Sequence, residues 1–369
     1  MKIQIESATK TANIIIDFFS NIDRIDDYFR LRKIERVKNL PAPIPGFGLE
    51  DDMFQNYDMS PEDMDIEVTQ IDNQTFNAML EKIASFSPDQ APGKELKLVV
   101  KEKNTNTILG FIKLGSPIIN SKPRNNYLGD VPELTIFNQR AIMGFVIVPV
   151  QPFGFNYLGG KLMALICTSH KVREMLNDKY DTKFCLFETT SLYGNIKGMS
   201  MYDGLKPFLR FKGDTESKFV PTLGEESYSL CKKIIEDDVK EDLIHKDASS
   251  RKLKITTKMI SLIKSSLKES DINLYEKFVS AITKAEGVTT QKRFYMSDYG
   301  YENVRDVLLG KTDTLIKGPN YHKHDLENII SWWKRKATSR YDKLKSEDRI
   351  RKELEVWNAD TMNKIDIIR

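Results

Sequence analysis

Cysteine is scarce in this chain. Three residues out of 369, Cys167, Cys185 and Cys231, stand without any Cys-x-x-Cys spacing. That argues against a disulfide framework and a zinc ribbon and points to a reducing compartment. Long apolar runs are missing too: none approaches the roughly 18 residues of a membrane span. The opening MKIQIESATK has no apolar signal core, so a cytoplasmic protein without a membrane partner is expected. Charge excess is small, at +3, which excludes a histone-like or polybasic protein but leaves room for local basic faces. The P-loop and the dinucleotide fingerprint are both absent, and no repeat of 20–50 residues is visible. What is present is an ordinary globular composition, 40% hydrophobic and 30% charged. At about 150 residues per domain, the length predicts two to three structural units.

The N-terminal segment, 1–94, reads as helical with an acidic loop. Helices are predicted over 7–20, 24–37 and 74–86, the last from Phe76, Met79, Leu80 and Ile83 sharing one face. Pro41, Pro43 and Pro45 make an extended connector. From Asn39 to Glu81 there is no Lys or Arg but ten acids. A solvated loop is the plain reading, and a nucleic-acid mimic or a metal-chelating loop the sharper one.

The middle segment, 95–222, carries the β signals. Residues 96–103 and 107–115 flank Asn104-Thr105-Asn106 and predict a hairpin. The apolar run 142–150 predicts a buried central strand. A loop with Gly159-Gly160-Lys161 leads into a helix from Leu162 to Lys179, and another strand follows at 183–191. The last segment, 223–369, reads as helical, with a clear helix from about Asp325. The fold class is therefore α/β (α+β): a mixed sheet flanked by helices, with helical N- and C-terminal regions.

The strand–glycine loop–helix at 142–179 is the strongest local signal. Glycines at a helix start expose backbone N–H groups to an anion at the positive end of the dipole. The donor site so read comprises Val148, Gln151, Asn156, Gly159, Gly160 and Lys161; the alternative is a turn built for close helix–strand packing. Glu188 ends a central strand, where ligands of open α/β sheets collect. It is a candidate general base, with Tyr193 or Tyr202 protonating a leaving group; the alternative is a surface strand residue. Asn120 and Arg124 are candidates to clamp a phosphate. Cys167 and Cys185 read as inert buried thiols. His322 and His324 have only Asp325 nearby, so no metal site is read. From Lys317 to Lys352, eleven Lys/Arg outnumber five acids, with Tyr321, Trp332, Trp333 and Tyr341 among them. Basic residues with aromatics make a candidate nucleic-acid face, Lys334, Arg335, Lys336 and Arg340, alongside Arg124.

The order hairpin, central strand, glycine loop, helix, strand over about 95–210 resembles the core of the GNAT-type acyltransferases. Their loop, Gln/Arg-x-x-Gly-x-Gly/Ala, reads here Asn156-Tyr157-Leu158-Gly159-Gly160-Lys161. That resemblance implies an acyl-coenzyme A or another phosphate-containing donor. A second resemblance, to the DruA-like family of the Druantia anti-phage system, rests on several blocks spanning about 108–336. They are Ile108 to Asn120, Tyr157 to Leu165 with Val172-Arg173-Glu174, Thr189-Thr190-Ser191-Leu192-Tyr193-Gly194, and Ile330-Ser331-Trp332-Trp333-Lys334-Arg335. Where that family carries Arg-Asp-x-x-Ile-Gly-Trp, this chain has Arg124-Asn125-Asn126-Tyr127-Leu128-Gly129-Asp130; where it carries Tyr-Asn-Arg, this chain has Tyr202-Asp203-Gly204. Together the resemblances imply a bacterial or phage protein of defence, counter-defence or DNA metabolism, with protein partners from such a system. Three functions follow: a transferase modifying nucleic acid, a non-catalytic DNA-binding component, or a structural, virion-associated protein.

Overall fold

Leu96, Leu98 and Val100 alternate, so one side of their strand is apolar and pleated toward a core. In the computed structural model of the chain, that strand and its neighbour form the expected hairpin. The structure describes residues 2–38, 50–86, 93–216, 219–244, 251–289 and 291–367; the proline connector lies outside them. The strands are β1 (Ile66–Gln70), β2 (Glu95–Glu102), β3 (Thr107–Gly115), β4 (Ala141–Pro149), β5 (Leu186–Ser191), β6 (Arg210–Asp214) and β7 (Arg293–Ser297). The helices are α1 (Ile5–Ser20), α2 (Ile25–Lys38), α3 (Asn73–Ile83), α4 (Lys122–Leu128), α5 (Leu134–Arg140), α6 (Phe153–Asn156) and α7 (Gly159–Cys167). They continue with α8 (His170–Tyr180), α9 (Tyr193–Lys197), α10 (Glu225–Val239), α11 (Arg251–Ser270), α12 (Ile272–Glu286), α13 (Val304–Leu308) and α14 (Leu326–Ser346).

The contacts divide the chain into two interleaved units. One holds Met1–Asn39, Ser217–Thr290 and Asp366–Arg369; the other holds Leu40–Glu216 and Gln291–Ile365. Composition suggests three consecutive segments, 1–94, 95–222 and 223–369, whereas the contacts join the first two helices to α10, α11 and α12. In that helical unit Ala8, Ala12, Ile15 and Phe19 of α1 are buried, as are Met259, Ile263 and Leu267 of α11 and Phe278 and Ile282 of α12. Small alanines at one-turn spacing let the helices approach closely.

The other unit is built on one seven-stranded sheet, ordered β1-β2-β3-β4-β5-β7-β6. Every neighbouring pair is antiparallel except β4 and β5. The expected single-sheet arrangement of 96–103, 107–115, 142–150 and 183–190 is thus borne out, with β5 starting at Leu186. Two features shape the centre. Register slips between β3 and β4, where Lys113 faces Val146 and Leu114 faces Gly144, so Phe145 is a bulged extra residue. At the same point β4 leaves β5: pairing covers only Ala141 to Gly144 against Leu186 to Thr189. The last hairpin is unusual as well. β6 and β7 are paired partners, Thr215 N donates to Lys292 O at 2.8 Å, and all of residues 217–290 lies between them.

Two expectations change. The helix from Leu162 to Lys179 is two helices, broken at Thr168-Ser169. Both hydroxyls turn back onto α7, Thr168 to Leu165 O and Ser169 to Ile166 O, while Ser169 Oγ also caps α8 through Val172 N; such residues compete with a continuing helix. The acidic stretch is not a plain loop. It contains β1, and Met53, Phe54, Tyr57 and Met64 are buried, because its apolar residues outweigh the tendency of its acids to stay hydrated.

Trp333 of α14 ties this unit together. It is fully buried, and its Nε1 donates to Tyr157 O at 2.9 Å. Trp333→Ala removes the ring and leaves that carbonyl unmet, so unfolding should be easier by about 3–5 kcal/mol. Denaturant titration checks this; a loss below about 1 kcal/mol would contradict the role assigned to the ring.

Candidate functional site

β5 is a strand with two very different faces, because successive side chains point oppositely. Glu188 is buried on one face. Arg124 of α4, also buried, donates from Nη1 to Glu188 Oε1 at 3.2 Å and to Ile118 O at 2.8 Å, and from Nη2 to Ile119 O. Its guanidinium lies over the Phe137 ring at 4.1 Å. Burial pushes the Glu188 carboxyl up to about 7, against the pull of Arg124. Around this pair, Ser121 Oγ, Arg124 Nε and Asn125 Oδ1 are buried with no hydrogen-bond partner. Ser121, Arg124 and Asn125 fall at one-turn spacing on α4 and its cap, so they share a helix face. Arg124 is therefore not a surface cation for nucleic acid: its charge is committed to Glu188 in the interior. Nor is Glu188 an exposed strand residue.

Thr189 points the other way. Its Oγ1 donates to Gly144 O at 3.0 Å, and burial raises the Tyr202 hydroxyl well above the usual tyrosine range. Tyr202 packs edge-on against Tyr295 of β7, 5.3 Å between centroids. Tyr295 donates to Asp203 Oδ1 at 2.8 Å, and Arg293 Nη1 to Asp203 Oδ2 at 2.8 Å. Burial opposes ionisation of Asp203, yet the Ser200 amide, Tyr295 and Arg293 hold its carboxyl below the usual range. The sequence-based trio Glu188, Tyr193 and Tyr202 is consequently not assembled. Glu188 and Tyr202 lie on opposite faces of β5, and Tyr193 is half-buried at the start of α9.

The glycine loop opens α7 as expected. Leu158 takes a left-handed φ of 55°, and Lys161 and Leu162 N–H both donate to Leu158 O. The preceding Gly159 and Gly160 amides have no backbone acceptor among the described residues, as first-turn amides usually lack one. The side chains expected to assist them are engaged elsewhere. Lys161 Nζ donates to Met201 O and Asp203 O. Asn156, buried, exchanges two hydrogen bonds with the Arg351 backbone. Gln151 Oε1 accepts from Phe155 N. Val148 is a half-buried β4 residue paired with Phe111. A Cβ on Gly160 would meet Met201 Sδ at 2.9 Å, so packing against the 199–203 turn also favours glycine there.

At the C-terminal end, the aromatics of the basic segment belong mostly to the core. Trp333, Tyr341 and Tyr321 are buried, and Trp332 packs on Phe208. The cations behave differently. Arg335, Lys336, Lys345 and Lys352 are exposed, with no acidic partner among the described residues. Lys334 donates to Glu62 O at 2.8 Å and Arg340 to Phe155 O at 2.6 Å. Asp203, Arg293, Tyr295, Ser121, Asn125, Phe155 and Arg351 escape sequence reasoning. Asp203, Arg293, Tyr295, Phe155 and Arg351 have partners distant in sequence, Ser121 Oγ and Asn125 Oδ1 have none, and Asn125, Asp203 and Arg351 stand in blocks that carried a signal. Cys167 and Cys185 are buried, their thiols raised by burial, Cys185 to about 12. His170 accepts from Arg173 Nε and bonds Tyr321 O; His324 bonds Thr168 O. Both rings are inside, and burial lowers His170 to about 4.

The fold and the site define a mixed α/β protein with a buried Arg–Glu pair beside the point where two parallel strands part. Residues 45–200, less than half of the chain, match the family model described as Druantia protein DruA. Over that region, which includes β1 to β5, Arg124 and Glu188, the chain is DruA-like. No curated protein and no solved structure matches it. Among the described residues, no helix is long and apolar enough to cross a membrane.

The Arg124–Glu188 pair predicts a pH dependence with a definite sign. The folded pKa of Glu188, about 7, lies above the ordinary 4.5. Between these values the folded protein holds a proton that the unfolded chain has lost, so this group's stabilising contribution declines as pH rises through that window. Glu188→Gln does not titrate and should lack the decline. Melting temperatures of both proteins from about pH 5 to about pH 8 test this; a difference that stays constant across the series contradicts a raised carboxyl.

Proposed function

We propose that this chain is a nucleic-acid-binding component of an anti-phage system. The family match supplies the defence context. The observation that carries the binding is the set of exposed cations with no acidic partner on and after α14: Arg335, Lys336, Lys345 and Lys352. Such charges cost least when they face an anion, and on a duplex each phosphate neutralised releases condensed counterions. Binding should accordingly be salt-dependent and tolerant of sequence. Fluorescence anisotropy with a labelled duplex tests it. Arg335→Glu with Lys336→Glu should lower affinity and reduce the salt slope by about two. Equal affinity and slope in the double variant reject this face.

A second reading, group transfer to nucleic acid, is favoured by the sheet itself. The succession of the β2–β3 hairpin, central β4, glycine loop, α7 and β5 supports it, being the order on which the acyltransferase resemblance rests. The residues fit a phosphate-containing donor only in part: the Gly159 and Gly160 amides have no backbone acceptor among the described residues, but Gly159 is buried, and Lys161, Asn156 and Gln151 are engaged. Bound there, an acyl-coenzyme A or similar donor supplies the activated group. The chain's own part is to hold phosphate with those two amides; Glu188, buried against Arg124 on the face of β5 opposite the turn that receives Lys161, has no part in it. Thermal-shift measurements with coenzyme A, nucleotides and inorganic phosphate, on the protein and on Gly160→Asp, test it. Stabilisation lost in the variant supports donor binding; no stabilisation of the unsubstituted protein removes this reading.

A further inference from the structure

Two arginines converge on one aromatic ring. Phe155 in α6 has the Arg340 guanidinium carbon 4.6 Å from its ring centroid and that of Arg351 at 3.7 Å. Gathering like charges costs energy unless something offsets it, and the protein offsets little. Arg340 donates from Nε to Phe155 O and makes no other hydrogen bond or ion pair among the described residues. Its terminal nitrogens are not among the sealed polar atoms, so they reach solvent. The carboxylate paired with Arg351 is Glu355, at a loose 3.9 Å. Arg349, close by, is taken by Glu347 at 2.7 Å. Burial, and then repulsion from Arg349 and Arg351, make Arg340 less willing to hold its proton.

The backbone enforces this crowding. The Asn156 amide grips Arg351 from both sides, donating to its carbonyl at 2.7 Å and accepting from its N–H at 3.1 Å. Glu355 N adds a bond to Gln151 O at 3.1 Å. Arg351 is thus strapped next to Arg340 by neutral hydrogen bonds rather than drawn there by acids. Stacking on Phe155 holds the planar groups while leaving N–H donors along their edges.

We propose that Arg340 and Arg351, stacked on Phe155, form a clamp for a phosphate of a nucleic-acid backbone. The proposal rests on the nucleic-acid reading above and deepens it by naming a contact outside the exposed Arg335 and Lys336 pair. Two guanidinium edges suit phosphate oxygens, which accept paired N–H donors. The clamp fixes the strand's position and reads no base.

The test uses the full chain with fluorescein-labelled duplex and single-stranded DNA of about 20 nucleotides, titrated over a salt series. Arg340→Gln with Arg351→Gln should weaken duplex binding by at least about tenfold and lower the salt slope by about two. Arg340→Lys with Arg351→Lys should keep the slope while losing part of the affinity, because charge remains and the paired donors do not. Should the double glutamine variant fold poorly, Arg351→Gln alone serves, since that side chain is half exposed; its slope should fall by about one. Unchanged affinity and slope in these variants overturn the clamp. Coenzyme A, ATP and inorganic phosphate are run as competing anions. If they bind through these arginines while DNA binding is unaffected by the substitutions, the phosphate belongs to a small molecule and the clamp as proposed is wrong. If the unsubstituted protein binds no nucleic acid, the functional reading falls together with it. If Arg335→Glu with Lys336→Glu weakens binding and the clamp variants do not, the clamp alone falls.

Discussion

Tyr157 is the hub on which the sheet-bearing unit depends. Its ring stacks on Tyr341 at 5.2 Å and on Phe153 at 5.4 Å, and meets Phe54 edge-on at 5.8 Å. Its carbonyl takes the Trp333 Nε1 hydrogen, and its hydroxyl donates to Met59 O at 3.0 Å. Tyr341 donates in turn to Tyr57 O. Three segments far apart in sequence, 53–59, 153–157 and 333–341, are pinned together through one side chain. Aromatic rings combine a large apolar area with a preferred mutual geometry, so such a cluster fixes orientation as well as position. The glycine loop, the acidic stretch and the basic helix hold their places because they attach to this hub.

That attachment explains what sequence reasoning misjudged at the C-terminal end. Aromatics among basic residues read as a nucleic-acid face, while periodicity already turns Trp333 inward with Leu326, Ile329 and Ile330; on α14 Trp333 and Tyr341 fall on that inward stripe with Ile329, Ala337 and Leu344. Helical periodicity was the better guide there. Elsewhere periodicity served well. The alternating Leu96, Leu98 and Val100 announced the hairpin, and Phe76, Met79, Leu80 and Ile83 announced α3. The strands β6 and β7 carry only five residues each, with no turn signal near either that points to the other. Their pairing spans the whole helical insertion, and no local pattern encodes it. The candidate site was half legible. Glu188 and Arg124 could each be singled out from strand-end position and motif, but not their union, because 64 residues separate them.

The Arg124–Glu188 pair also bears on what the site can do. A buried ion pair is seldom a net gain in stability over an apolar pair of the same volume. Here it is accompanied by unmet polar atoms on Ser121, Arg124 and Asn125. Buried groups without partners are uncommon and invite an explanation in a ligand, a water or a reaction. The pair lies next to the parting of β4 and β5, where the Phe145 bulge lets the strands separate. Bulges often sit beside functional sites because they re-aim the strand that carries them. On the opposite face the Asp203–Arg293–Tyr295 cluster is well satisfied and serves to hold the turn that receives Lys161.

The hairpin of β6 and β7 has a consequence for how the sheet is made. β7 lies between β5 and β6, so the last two strands of the sheet cannot add in chain order. While the chain is synthesised, the outer edge of β5 stays open through the whole of the helical insertion, until residues 293–297 emerge. An unpaired strand edge is a template for wrong partners. If the insertion remained a flexible loop, closing it would carry an entropic penalty that grows with the logarithm of its length. Thr215 and Lys292, the residues flanking the insertion, are hydrogen-bonded to each other, so a folded insertion converts that long-range closure into a local one. The helices between β6 and β7 thereby set the moment at which the strand bearing Glu188 acquires its second neighbour.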